Sequence, residues 1–181
     1  MTAPVLARAV GLLALIVLFV MLLARGLTLS DGGMLWFIHL VDLVFHEAGH
    51  VIFGMFGRFL GALGGSLNQV LIPAVCTGSF LYRRQWAAAA VTLFWTGENV
   101  IDVAIYAADG RDMKLPLLAE GLTHDWNWIL SELSLRNQAE PIGRALFALG
   151  VLVLLAALAL LALDLVRVAT APDADHMLSS H

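Results

Sequence analysis

His46, Glu47 and His50 stand in the order His-Glu-Ala-Gly-His, which is the pattern H-E-x-x-H. On a helix, side chains four residues apart share a face, so the two imidazoles can bind one zinc ion. Glu47 is one residue along, beside such a metal, where a carboxylate can take a proton from activated water. The chemistry this spacing suits is metal-assisted hydrolysis. Catalytic zinc takes three protein ligands and keeps one position for water, so a third ligand is needed.

Two places can supply it. One is His124-Asp125, where His124 is the expected ligand and Asp125 the alternative. Imidazole and carboxylate both suit zinc, and His124 can instead donate a hydrogen bond to a developing oxyanion. The other is Glu98, which shares a helical face with Asp102 four residues on. Glu98 and His46 each lie about twelve residues into an apolar run, which puts them at similar depth. Asp102 and Asp109 are further carboxylates that could be the third ligand. Asp42 precedes His46 by one turn and can hold its imidazole from behind. Asp42, Asp102 and Asn99 are the expected supporting groups for the ligands or the transition state.

Five apolar segments must position these residues: 5–24, 34–57, 66–82, 86–108 and 143–166. A span takes about 20 residues. The third segment, interrupted by Asn68, Gln69 and Pro73, is short enough to be tilted or re-entrant. The H-E-x-x-H pattern lies inside the second. Ionisable residues in a bilayer are expensive and mark function, so this placement raises the weight of a short pattern. Residues 58–65 read as a glycine-rich apolar linker, and 109–141 as the one long polar stretch. Within that stretch an amphipathic helix runs through Leu135, with Thr123 or Asp125 as its cap and Trp126 and Trp128 at headgroup level.

Composition agrees with a membrane protein. Of 181 residues, 60% are hydrophobic and 13% charged, against about 25% charged in soluble domains. Mean hydropathy is +0.87. The first segment follows Arg8 and is longer than a signal-peptide core of about 7–15 residues, so it reads as a retained helix. Net charge is −4 with no basic block, which excludes nucleic acid as a partner. The single cysteine, Cys76, reads as a small apolar residue. The expected fold is all-α: a polytopic transmembrane helical bundle of about five membrane segments plus an interfacial amphipathic helix. Residues 1–168 form one domain and 169–181 a disordered polar tail.

His46-Glu47-Ala48-Gly49-His50 in an apolar helix, followed by Gly61, Gly64, Gly65 and Ser66-Leu67-Asn68-Gln69, resembles the site-2 protease type of intramembrane zinc metalloprotease. More narrowly it resembles the small bacterial membrane proteins called M50-type peptidase-like. The resemblance covers about half the chain. It implies that His46 and His50 bind zinc with an aspartate from a later segment, and that Glu47 is the general base. The family's aspartate sits in an Asn-Pro-Asp-Gly or Leu-Asp-Gly context. Asp109-Gly110 is the nearest counterpart here and Asp125 the alternative. Glu98-x-x-x-Asp102 is similar in spacing to the gluzincin metalloproteases, where the glutamate is the third ligand. The implied activity is hydrolysis of peptide bonds in or near the membrane, on transmembrane or membrane-adjacent peptides. The implied setting is a multi-pass place in a bacterial inner membrane, with a partner protein aiding recognition. The alternative is a non-proteolytic metal-binding or metal-transport protein, or a relative that binds peptides without cutting them.

Overall fold

The structure is a computed structural model that describes residues 2–115 and 124–171. Among these residues it is all helical. The helices are α1 (Ala3–Arg25), α2 (Gly33–Gly54), α3 (Arg58–Tyr82), α4 (Trp86–Asp109), α5 (Asp125–Glu132) and α6 (Ala139–Ala169), with a 3-10 turn at Arg136–Gln138 before α6. All except α5 are long and apolar enough to cross a membrane. The protein is therefore a bundle of five membrane segments with one short helix outside them. Val10, Leu13, Val51, Leu152 and Leu163 are exposed on its surface, the composition expected of a face turned to lipid.

Local signals set the helix ends. Proline in the first turn of α1 needs no amide partner. Gly26, at φ +61°, closes that helix, and Gly57, at φ +104°, turns the chain from α2 into α3. Glycine in the third segment has another purpose. The stretch 58–65, expected as a linker, is the first two turns of α3, and the third segment is one continuous helix of 25 residues. The re-entrant alternative is thus replaced by a full-length span. A Cβ on Gly49 would overlap the carbonyl oxygen of Gly64, and one on Gly64 would lie 2.6 Å from the Phe53 Cβ. Small residues let two helix backbones approach where lipid provides no hydrophobic drive between them.

α4 is the central helix, buried along most of its length. It packs chiefly on α6, where Gly97 faces Gly150. Leu22, Leu35, Phe94, Ile101, Leu154 and Ala157 form the apolar core, drawn from α1, α2, α4 and α6. α1 is peripheral, and Arg8 Nε donates to Asp164 Oδ2 of α6 at 2.6 Å. The expected cap at Thr123 and residues 172–181 of the expected tail lie outside the described residues.

Candidate metal centre

α2 carries His39, Asp42, His46 and His50 at helical spacing, and all four find polar partners on other elements. His46 and His50 lie in its second half, where it packs on the first half of α3. The His46 Nδ1 bonds Gln69 Oε1 at 2.6 Å, and the His50 Nδ1 bonds the Gly61 carbonyl oxygen at 2.8 Å. A carbonyl oxygen only accepts, so each Nδ1 carries the proton. In the neutral imidazole each Nε2 then keeps a free lone pair.

Both lone pairs point at one atom. The His46 Nε2 and the His50 Nε2 each lie 3.2 Å from Asp125 Oδ2. The ligand atoms of His46, His50 and Asp125 all fall within 4.8 Å of one another. With both imidazoles neutral, three acceptors converge without a donor, an arrangement that could hold a metal ion. Zinc at about 2.0–2.2 Å from tetrahedral ligands would hold them roughly 3.3–3.6 Å apart, close to the two 3.2 Å separations from Asp125 Oδ2. The residues could hold a metal ion of zinc's size and ligand preference.

Asp125 reaches this point because α5 is clamped in place. Trp126 Nε1 donates to Ser66 Oγ of α3 at 3.0 Å. Asn127 Nδ2 donates to the Gly110 carbonyl at the end of α4 at 2.7 Å. Burial pushes the Asp125 carboxyl up; with His46 and His50 protonated on Nε2 and no metal between them, their hydrogen bonds outweigh it and hold it at about 2. A cavity of about 280 Å³ opens beside the cluster, lined by His50, Arg58, Gly61, Ala62, Asp125 and Trp128. Arg58 stacks its guanidinium on the Trp128 ring at 4.8 Å.

The other expected site residues are placed differently. His124, the first choice as third ligand, is the N-cap of α5. Its Nδ1 accepts from the Asn127 amide at 3.2 Å, and its Nε2 lies 3.3 Å from Asp109 Oδ2. With both nitrogens so directed, it turns away from His46 and His50. It also takes the capping place expected of Thr123 or Asp125. Glu98 lies in the core and faces Asp42, away from the histidines. Asp42 makes no hydrogen bond to His46. Its Oδ1 accepts from Trp95 Nε1 at 2.7 Å and from Asn99 Nδ2 at 3.1 Å. Asp102 supports the centre at one remove: Gln69 Nε2 donates to Asp102 Oδ2 and to Asn99 Oδ1, both at 3.3 Å. Glu47 is exposed at the edge of the cluster, near enough to act electrostatically on His50.

Two residues matter more than their sequence context suggests. Gln69, read in the sequence as one of the polar interruptions of the third segment, is the direct hydrogen-bond partner of His46. His39 had no expected role. It is buried, its Nδ1 lies 3.0 Å from Asp102 Oδ1, and its ring stacks on Tyr106 with centroids 5.9 Å apart. The available signal was position, since His39 precedes His46 by seven residues, two turns along the same face.

Compared with known proteins, the chain matches no family model, no curated protein and no solved structure.

Proposed function

We propose that this chain is a zinc-dependent intramembrane metalloprotease of site-2 protease type, with His46, His50 and Asp125 as the metal ligands and Glu47 as the general base. The observation that carries the reading is the convergence of two imidazole Nε2 atoms on one carboxylate oxygen, with both Nδ1 atoms tied back to acceptors. An ordinary interhelical polar cluster pairs donors with acceptors. This one presents three acceptors to a single point. Zinc bound there supplies a Lewis acid that polarises a carbonyl and lowers the pKa of water towards 7.

The residues would then act as follows. Glu47, at the rim, accepts the proton of the attacking water and passes it to the leaving amine. Gln69 and the Gly61 carbonyl hold the imidazoles in the tautomer that ligates. The cavity beside His50 receives the peptide, and the Arg58–Trp128 pair forms one wall of it. Five apolar helices make a membrane-embedded or membrane-adjacent peptide the fitting substrate, with a partner protein aiding its selection. A bacterial inner membrane suits this setting.

The test is zinc analysis of purified protein together with cleavage of an unfolded protein substrate in detergent. Wild type should hold near-stoichiometric zinc and cleave. Glu47→Gln should keep the zinc and lose the cleavage. Zinc-free wild type would sink the metal reading. Zinc-loaded wild type that never cleaves would leave the metal-binding, non-proteolytic alternative, which the exposed position of Glu47 favours.

A further inference from the structure

The carboxyl groups of Asp42 and Glu98 form a second polar centre, separate from the candidate metal ligands. Asp42 is 0% exposed and Glu98 2% exposed. The two carboxyls lie within hydrogen-bonding reach of each other. Asp42 Oδ1 is satisfied by Trp95 and Asn99. Asp42 Oδ2 and both oxygens of Glu98 meet no donor among the described residues. Three unpartnered carboxyl oxygens in the core of a membrane protein are not stable as they stand, because each needs a donor or a cation.

The charges around the pair set what it takes. Asp102, on α4 beside Glu98, is already matched by His39 of α2 and by Gln69 of α3. Arg25, the last residue of α1, acts on Glu98 electrostatically. Its three guanidinium nitrogens are buried and bond no acceptor among the described residues. Asp42 and Glu98 against the one guanidinium carry a single excess negative charge between them, and the nearby Asp102 carboxylate adds to the negative field. Zinc and other borderline metals favour nitrogen and sulfur donors, and this centre has only oxygen. Calcium takes about six to eight oxygens, more than two carboxyls provide.

We infer that the Asp42–Glu98 pair is a binding site for one small monovalent cation, a proton or a sodium ion, shared between the two carboxyls inside the bundle. Asp42 is the fixed half, because Trp95 and Asn99 hold it. Glu98, with both oxygens free of donors, is the half that binds and releases. The site is also wired to the metal centre: Asn99 accepts from Gln69, which bonds His46. The inference does not depend on zinc binding or proteolysis.

The experiment uses the full chain in lipid nanodiscs. Thermal unfolding is followed while sodium chloride replaces choline chloride at constant ionic strength. Infrared spectra at neutral pH are searched for the carbonyl band of a protonated carboxylic acid. Bound sodium gives a Tm that rises with sodium in wild type and stays flat in Glu98→Gln and Asp42→Asn. A shared proton gives a sodium-independent Tm and a carboxylic-acid band that at least one of the two variants removes. Wild type with neither signature, or with a band that both variants keep, overturns the inference. The wild-type measurements decide the matter even where a variant fails to unfold cooperatively.

Discussion

At the candidate metal centre the chemistry turns on which nitrogen each imidazole presents and which carboxylate faces it. Asp125→Ala is expected to abolish stoichiometric zinc. His124→Ala should keep the zinc while weakening the α5 cap by about 0.5–2 kcal/mol. Zinc content and thermal unfolding of the two variants, side by side, check both statements; zinc lost from His124→Ala but kept by Asp125→Ala would reverse the assignment. Gln69→Leu removes the acceptor for His46 Nδ1 and leaves the Nε2 ligand unoriented. Zinc affinity should fall about 10–100-fold, measured by competition with a chelator. Acid should release the metal, because ligating imidazoles must be unprotonated and protons compete for their lone pairs. Once His46 and His50 are protonated they hold the Asp125 carboxyl at about 2, so Asp125 stays ionised as the imidazoles take up protons. Protonation of the histidines, before that of the carboxylate, should therefore drive the release. Release that waits for the carboxylate range would contradict this.

The same site depends on how two elements touch. α2 and α3 approach at Gly49, Gly64 and Gly65, and Gly65 lies directly under the imidazole of His46. A methyl group on Gly65 would sit 2.5 Å from His46 Nε2. Gly65→Ala should therefore displace the ligand, lose zinc and destabilise the fold by about 1–3 kcal/mol. Gly78, in the same helix, has nothing within 4 Å of a Cβ. Gly78→Ala should be neutral or stabilising by up to about 1 kcal/mol. The contrast between the two, read by thermal unfolding and zinc content, separates close packing from helix propensity. Glycines in residues 58–65 look like linker signals in the sequence. They form a packing face instead, because the same residue type that ends a soluble helix lets membrane helices meet.

Across the whole molecule, α4 is the buried axis and α1 an outer helix pinned by the Arg8–Asp164 pair. Asp164 is almost fully buried while Arg8 keeps 25% of its side chain exposed. Asp164→Leu should loosen α1 and lower the Tm, by less than the roughly 3–5 kcal/mol seen when a fully buried pair is broken. Arg8→Leu with Asp164→Leu should recover most of that loss, since no charge is then left unpaired. A double variant as unstable as the single one would show that the pair does more than neutralise itself.

The apolar runs and their lengths determined the helical membrane bundle, because spanning a bilayer is a local demand on about 20 consecutive residues. The spacing of His46, Glu47 and His50 likewise put two imidazoles on one helical face, since the 3.6-residue period is a property of the helix itself. Only the tertiary structure decided what joins them. Asp125 lies 79 residues from His46 in sequence and reaches it through contacts of Trp126 with Ser66 and of Asn127 with Gly110. Similar depth in two spans placed Glu98 near the histidines on paper. Depth says nothing of which way a helix turns its face, and the rotation of α4 directs Glu98 to Asp42 instead. His39, Asp102 and Gln69 were each visible as polar residues in apolar runs, but their pairing rests on how α2, α3 and α4 pack, which no single segment encodes.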